Sequence, residues 1–136
     1  MTPDLLGLVR VLSAGRVRYI IVGGVAAGIH GALRTTLDLD IVYARDTENV
    51  ARLVAALAPY EPYLRGAPPG LPFVMDEGTI ARGINFALST TIGDLDILGD
   101  VTGGGGYEHL SPAAESVDIE GFACQVVTLP TLTRLK

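Results

Sequence analysis

Two aspartates lie inside a short apolar segment, residues 37–43 (LDLDIVY), and they restrict what this chain can fold into more than any other feature. The alternating pattern predicts a β-strand in which Asp38 and Asp40 point to one face and the larger apolar side chains to the other. Two carboxylates on one covered face repel each other and lose hydration, so they require a compensating positive charge. The segment therefore predicts either a strand whose aspartates lie in water or a site that collects cations.

The compensating charge has two candidate sources. Arg34 and Arg45 flank the strand and could neutralise the aspartates by direct pairing. Alternatively, carboxylates at positions i and i+2 project about 6–7 Å apart and could share one or two hard divalent cations. The residue types alone leave both alternatives open.

A pair of glycines favours the cation. Residues 17–22 (VRYIIV) predict a buried strand, which Gly23 and Gly24 end before a short helix predicted over residues 25–31. A glycine turn that leads into a helix exposes backbone N–H groups where no side chain blocks an approaching phosphate. This turn precedes the two aspartates by a short segment, so we expect a phosphate site beside a metal site.

The rest of the chain mixes helices and strands without a repeat. Further helices are predicted over residues 5–14, 46–58, 76–82 and 107–114, and further strands over residues 84–90, 94–98, 116–119 and 122–128. The prolines of residues 59–72 predict an irregular segment, and the glycine run of residues 103–106 predicts a flexible loop. This pattern predicts an α+β fold with a mixed or antiparallel sheet flanked by helices.

The size and composition of the chain limit the classes of function. A length of 136 residues predicts one domain, and the helix that begins at Pro130 has only two turns, so we expect the domain to continue beyond Lys136. The net charge of −5 gives no broad basic surface for nucleic acid. No apolar run reaches the roughly 18–20 residues of a membrane span. A single cysteine, Cys124, excludes an internal disulfide and suits a cytoplasmic location.

Residues 23–41 (GGVAAGIHGALRTTLDLDI) resemble the signature of the polymerase-β-like nucleotidyltransferase superfamily. His30-Gly31, Arg34 and Thr36 make the segment similar to small prokaryotic members related to abortive-infection and toxin–antitoxin nucleotidyltransferases. The resemblance implies the palm-like fold of that superfamily and the transfer of a nucleoside monophosphate from a triphosphate to a hydroxyl on RNA, protein or a small molecule.

The resemblance also implies roles for the carboxylates. Asp38 and Asp40 would bind two Mg²⁺ or Mn²⁺ ions, and a third carboxylate would come from a later strand. Asp96, in the segment GDLDIL, matches that position best, as ligand and base for the acceptor hydroxyl, and Asp94 is its competitor.

Gly23, Gly24 and Arg34 would bind the nucleoside triphosphate. Many catalytic members have Gly-Ser where this chain has Gly23-Gly24, and they continue beyond the equivalent of Lys136. A catalytically reduced module that binds a nucleotide or a protein partner, or that forms a homo-oligomer, is therefore the alternative. A Rossmann-type dinucleotide site is disfavoured because the glycine spacing is not GxGxxG.

Overall fold

The computed structural model describes residues 4–31, 37–68, 70, 73–101 and 104–135. Its helices are α1 (Leu5–Ala14), α2 (Gly23–Ile29), α3 (Thr47–Leu57), α4 (Glu77–Arg82), α5 (Tyr107–Leu110) and α6 (Leu129–Arg134). Its strands are β1 (Tyr19–Val22), β2 (Asp38–Tyr43), β3 (Tyr63–Leu64), β4 (Asn85–Thr90), β5 (Gly93–Leu98), β6 (Ala114–Ile119) and β7 (Phe122–Val127). Within the described ranges, no helix has the length and apolar character that crossing a membrane would need.

The strands form one mixed sheet in the order β3-β4-β5-β2-β1-β7-β6. The hairpins β4-β5 and β6-β7 are antiparallel, as is the pair β1-β2. The two hairpins join the central pair through parallel contacts, β5 to β2 and β7 to β1. The mixed sheet with flanking helices confirms the predicted α+β fold.

The sheet buries one face of its central strands beneath helices. Leu39 and Ile41 of β2 and Leu95 and Ile97 of β5 are fully buried, and they alternate with the aspartates of the same strands. Helix α1 packs against α3 and contacts β2, β5 and β7. Burying each such side chain stabilises the fold by about 1.5–3 kcal/mol relative to leaving it in water. The aspartates are thereby directed to the opposite face of the sheet.

Three helices begin where the sequence predicts, at an aspartate that caps the first turn. The carboxylate of Asp4 accepts from the Gly7 N–H at 2.8 Å, and that of Asp76 accepts from the Thr79 N–H at 2.8 Å. Asp46 caps α3 in the same way, with its side chain accepting from the Asn49 N–H. Such caps satisfy N–H groups that have no intrahelical partner.

Some boundaries differ from the prediction because local patterns were short. Strand β3 lies in the proline-rich segment predicted to be irregular, and two residues carry no alternation from which it could be recognised. Helix α2 begins at Gly23 instead of residue 25, so both glycines belong to its first turn. Helix α5 ends at Leu110, and β6 begins two residues before the predicted strand. Part of the predicted glycine loop, residue 103, lies outside the described residues.

Candidate active site

The parallel pairing of β2 and β5 gathers four aspartates on one face of the sheet. Asp38 is opposite Asp94, and Asp40 is opposite Asp96. Side chains directly opposite each other on paired strands point the same way, as do those two positions apart along a strand. The sheet therefore carries an acidic surface two strands wide.

Three of these carboxylates form a compact group. Oxygen atoms of Asp38, Asp40 and Asp96 all lie within 4.8 Å of one another. The side chains are partly buried, with 35% of Asp38 and 23% of Asp96 exposed. Carboxylate oxygens converging at this distance are suitable ligands for a hard divalent cation. Of the two candidates for the third carboxylate, Asp96 lies in this group, and Asp94 lies beside it against an arginine, with its Oδ2 3.3 Å from Arg65 Nε.

The crowding of negative charge changes the protonation of Asp40. Burial, together with a hydrogen bond with Asp96 and the negative charges of Asp38 and Asp96, raises the pKa of Asp40 to about 7. The guanidinium of Arg65 opposes this shift. Near neutral pH the group therefore holds a proton between two carboxylates for part of the time, in a position where a cation could bind instead.

One oxygen of the group lacks a hydrogen-bond partner. Asp96 Oδ1 is buried and accepts no hydrogen bond from any described residue. Arg65 Nη2 forms an ion pair with it at 2.8 Å without the alignment of a hydrogen bond, and the same nitrogen donates to the Leu88 carbonyl at 2.9 Å. Buried polar atoms in native proteins nearly always have a partner. Asp96 Oδ1, which accepts no hydrogen bond from the described residues, and the carboxylates of Asp38 and Asp40 therefore fit a divalent cation.

Gly23 lies against the carboxylate of Asp40 at the start of α2. Its φ is +69°, a conformation that side chains disfavour, and a Cβ at this position would lie 2.0 Å from Asp40 Oδ2. Both facts require glycine here. The first turn of α2, whose N–H groups have no intrahelical acceptors, is thereby brought next to the carboxylate group.

A cleft of about 220 Å³ opens beside Gly23 and Asp40. It lies between α2, the end of β5 and α6, and its lining is formed by Val22, Gly23, Gly24, Ala27, Asp40, Leu98, Val101, Leu132 and Leu135. Apart from Asp40, these residues are apolar or glycine. The cleft thus joins an apolar wall to the carboxylate group.

Arg65 is the residue of this site that sequence reasoning missed. It follows β3 directly, and its guanidinium is within ion-pairing distance of Asp38, Asp94 and Asp96. Its side chain is 29% exposed. Only recognition of β3 as an edge strand next to β4 could have placed this arginine near the aspartates.

Other residues singled out in the sequence have different surroundings. Arg34 and Thr36 lie outside the described residues. Arg45, one of the two arginines considered as counter-ions, donates instead to the Tyr43 hydroxyl at 2.7 Å. His30 Nε2 lies 2.7 Å from the Val127 carbonyl, a contact that ties the end of α2 to β7. Cys124 is buried in the core.

Two solved structures resemble the whole of this architecture. A Thermotoga maritima protein (TM1012), assigned provisionally as a nucleotidyltransferase, superimposes with a TM-score of 0.58 over 96% of this chain and 84% of its own, at 15% identity. The lincosamide antibiotic adenylyltransferase LnuA, bound to lincomycin, gives a TM-score of 0.59 over 93% and 80% of the two chains, at 14% identity. The chain has the nucleotidyltransferase fold.

This nucleotidyltransferase fold confirms the architecture that the resemblance implied. No model of a protein family matches the sequence, and no curated protein matches it. At 14–15% identity the likeness to the two structures is one of fold. The roles of the individual site residues therefore depend on the geometry described above.

Proposed function

We propose that the protein is a metal-dependent nucleotidyltransferase, which moves a nucleoside monophosphate from a nucleoside triphosphate to a hydroxyl acceptor. The observation that carries this proposal is the convergence of Asp38, Asp40 and Asp96, among them a buried oxygen that accepts no hydrogen bond from the described residues, beside the glycine turn of α2. The fold shared with an adenylyltransferase supports the class of reaction.

Asp38, Asp40 and Asp96 are the residues that would hold Mg²⁺ or Mn²⁺. Such ions neutralise charge on the triphosphate and polarise its phosphorus–oxygen bonds. Asp96 Oδ1, which accepts no hydrogen bond from the described residues, would gain the metal as a partner. The proton that Asp40 shares with Asp96 would be released when the metal binds. The carboxylates thus provide both a charge and a geometry that suit divalent ions.

Gly23 and Gly24 would hold the triphosphate. Both glycines line the same cleft as Asp40, and a Cβ at residue 23 would meet the Asp40 carboxylate, so phosphate oxygens can approach the backbone of this turn and the carboxylate at once. We also assign Arg34 to the phosphates, from the resemblance alone. The apolar wall of the neighbouring cleft suits the flat face of a base or an apolar part of the acceptor.

In the transfer step, the acceptor oxygen forms a bond to the α-phosphorus while the bond from that phosphorus to the bridging oxygen breaks. Pyrophosphate leaves with the electron pair of the broken bond. The proton of the acceptor hydroxyl passes to the carboxylate of Asp96, which lies on β5 between Asp40 of β2 and Ala87 of β4. Whether the acceptor is RNA, protein or a small molecule depends on groups beyond this cluster.

Binding and transfer can be tested separately. We expect calorimetry to detect Mn²⁺ and a non-hydrolysable triphosphate bound to the wild type, and α-labelled triphosphate to transfer its label only with metal present. Asp38→Asn and Asp40→Asn should each lower the rate of transfer by about 10³-fold or more, because each removes a group that stabilises charge in the reaction. Glu115→Gln, on the exposed surface of β6, is the matched control. Absence of both metal and triphosphate binding would refute the proposal, and binding without transfer would assign the site to binding alone.

A further inference from the structure

Arg65 reaches the carboxylates along a row of residues that crosses four strands. Its backbone N–H donates to the Ala87 carbonyl on β4 at 2.9 Å. Ala87 is opposite Asp96 on β5, and Asp96 is opposite Asp40 on β2. Side chains in such a row lie on the same face of the sheet. Because Ala87 has only a methyl group, the long side chain of Arg65 can pass over it to the aspartates.

The contacts that Arg65 makes there bring opposite charges close together, but their hydrogen-bond geometry is poor. Its Nη1 lies 3.8 Å from Asp38 Oδ2, and its Nη2 lies 2.8 Å from Asp96 Oδ1. Yet Asp96 Oδ1 and Arg65 Nε are both buried without a hydrogen-bond partner among the described residues. Charge-assisted hydrogen bonds gain much of their strength from alignment, so these contacts are weaker than their distances suggest.

Two other groups hold the guanidinium outside the carboxylate trio. The Leu88 carbonyl accepts from Nη2 at 2.9 Å, and Asp94 Oδ2 lies 3.3 Å from Nε. These groups would keep Arg65 in place if Asp38 and Asp96 were taken by another cation. Asp94, the carboxylate that does not join the trio, thus contacts the same guanidinium through a different nitrogen, Nε.

We propose that Arg65 is the resident counter-cation of the carboxylate group, that a divalent metal displaces it from Asp38 and Asp96, and that Arg65 thereby sets the metal affinity of the site. The inference rests on the proposed function, because it requires the trio to bind a metal. Arg65 partly offsets the repulsion among the carboxylates in the metal-free protein, and the same contacts compete with the incoming ion.

The experiment compares Mn²⁺ dissociation constants of the wild type and Arg65→Gln, measured from the electron paramagnetic resonance signal of free Mn²⁺. We expect Arg65→Gln to bind Mn²⁺ roughly tenfold more tightly, the scale on which groups next to metal ligands alter affinity. Its melting temperature without metal should be lower than that of the wild type. Arg52→Gln, which removes the same charge from an ion pair with Glu48 on α3, should leave the Mn²⁺ affinity unchanged.

A second variant keeps the arginine and changes only its access. Ala87→Val places a branched side chain in the path of the guanidinium, suits a strand, and should also tighten Mn²⁺ binding. This variant decides the matter if Arg65→Gln does not fold. Equal or weaker Mn²⁺ binding by the folded variants would overturn the role of Arg65. If neither the wild type nor any variant binds Mn²⁺, the metal site of the proposed function is itself wrong, and this inference falls with it.

Discussion

Asp40 on β2 lies directly opposite Asp96 on β5, and this parallel pairing places two carboxylates from distant parts of the sequence in hydrogen-bonding contact. The pair is costly in the absence of a cation. Burial, the shared hydrogen bond and the neighbouring charges all favour the protonated form of Asp40, against the single opposing charge of Arg65. The clustered carboxylates thus lower the stability of the metal-free protein, and the size of this loss depends on pH.

Asp40→Asn should stabilise the metal-free protein at alkaline pH. The pKa of Asp40 is raised from its ordinary value of 3.8 to about 7 by folding. The charged form of Asp40 therefore lowers the free energy of unfolding. This loss is absent below about pH 4, grows between about pH 4 and 7, and is complete above about pH 7. We expect Asp40→Asn to gain about 1 kcal/mol at pH 8, allowing for solvent screening of a half-buried group, and nothing at pH 4. Melting curves across this range would check it; a constant difference between the two proteins would contradict it.

Gly23→Ala should disrupt both the turn and the carboxylate group. The new Cβ would meet Asp40 Oδ2 at 2.0 Å, on a backbone whose φ of +69° already disfavours a side chain. We expect a loss of about 1–3 kcal/mol in the free energy of unfolding, together with weaker Mn²⁺ binding. Denaturant titration and metal titration measure the two effects.

Gly28→Ala is the matched control on the same helix. A Cβ at residue 28 would have no neighbour within 4 Å, and its φ lies outside the positive range. Alanine favours helix over glycine by up to about 1 kcal/mol, so this variant should be as stable as the wild type or more so. Equal losses in Gly23→Ala and Gly28→Ala would mean that the contact with Asp40 is not the cause.

Asn49→Ala should destabilise the fold without changing the site. The fully buried side chain accepts from the Arg18 N–H at 2.6 Å and donates to the carbonyls of Arg18 at 3.0 Å and Ala44 at 2.7 Å. Alanine would leave these backbone groups without their partner, at a cost of about 2–4 kcal/mol. Urea titration would measure the loss, and the Mn²⁺ affinity of the folded fraction should be that of the wild type. A change in that affinity would show that Asn49 also affects the carboxylates.

Val101→Phe should separate the cleft from the metal ligands. Val101 lines the cleft from the segment that follows β5 and is not one of the carboxylate-bearing positions, so a phenyl ring there would take up space in the cleft and leave the three carboxylates in place. We expect triphosphate binding to weaken about tenfold, a difference of about 1.4 kcal/mol, with Mn²⁺ binding unchanged. Val74→Phe, at a position that is 65% exposed, is the control for added aromatic surface. Unchanged triphosphate affinity in Val101→Phe would place the nucleotide outside this cleft.

The elements of this fold were predictable wherever local chemistry specifies them. The capping aspartates mark three helix starts, and the alternation in β2 and β5 assigns their aspartates to one face. What local patterns cannot give is the neighbour of each strand. Asp94 and Asp96 share a face, so only the register with β2 puts Asp96, and not Asp94, opposite Asp40.

Arg65 illustrates the same limit more strongly. Its position depends on β3, which is two residues long and is a strand only because β4 offers it an edge. The backbone hydrogen bond from Arg65 to Ala87 on β4 then aligns the arginine with Asp96, which is opposite Ala87. Neither condition leaves a periodic trace in the sequence, since both arise from contacts between segments.

The parallel pairing of β2 and β5 also has a consequence for the order of events during synthesis. A nascent chain that has emerged only through β2 carries Asp38 and Asp40 but neither Asp96 nor the arginine that offsets their charge. Non-local strand pairing of this kind forms late, because the intervening chain must first be ordered. The carboxylate group is therefore completed only after β5, with Asp96, has been made and has paired with β2, while β6 and β7 still follow in the chain.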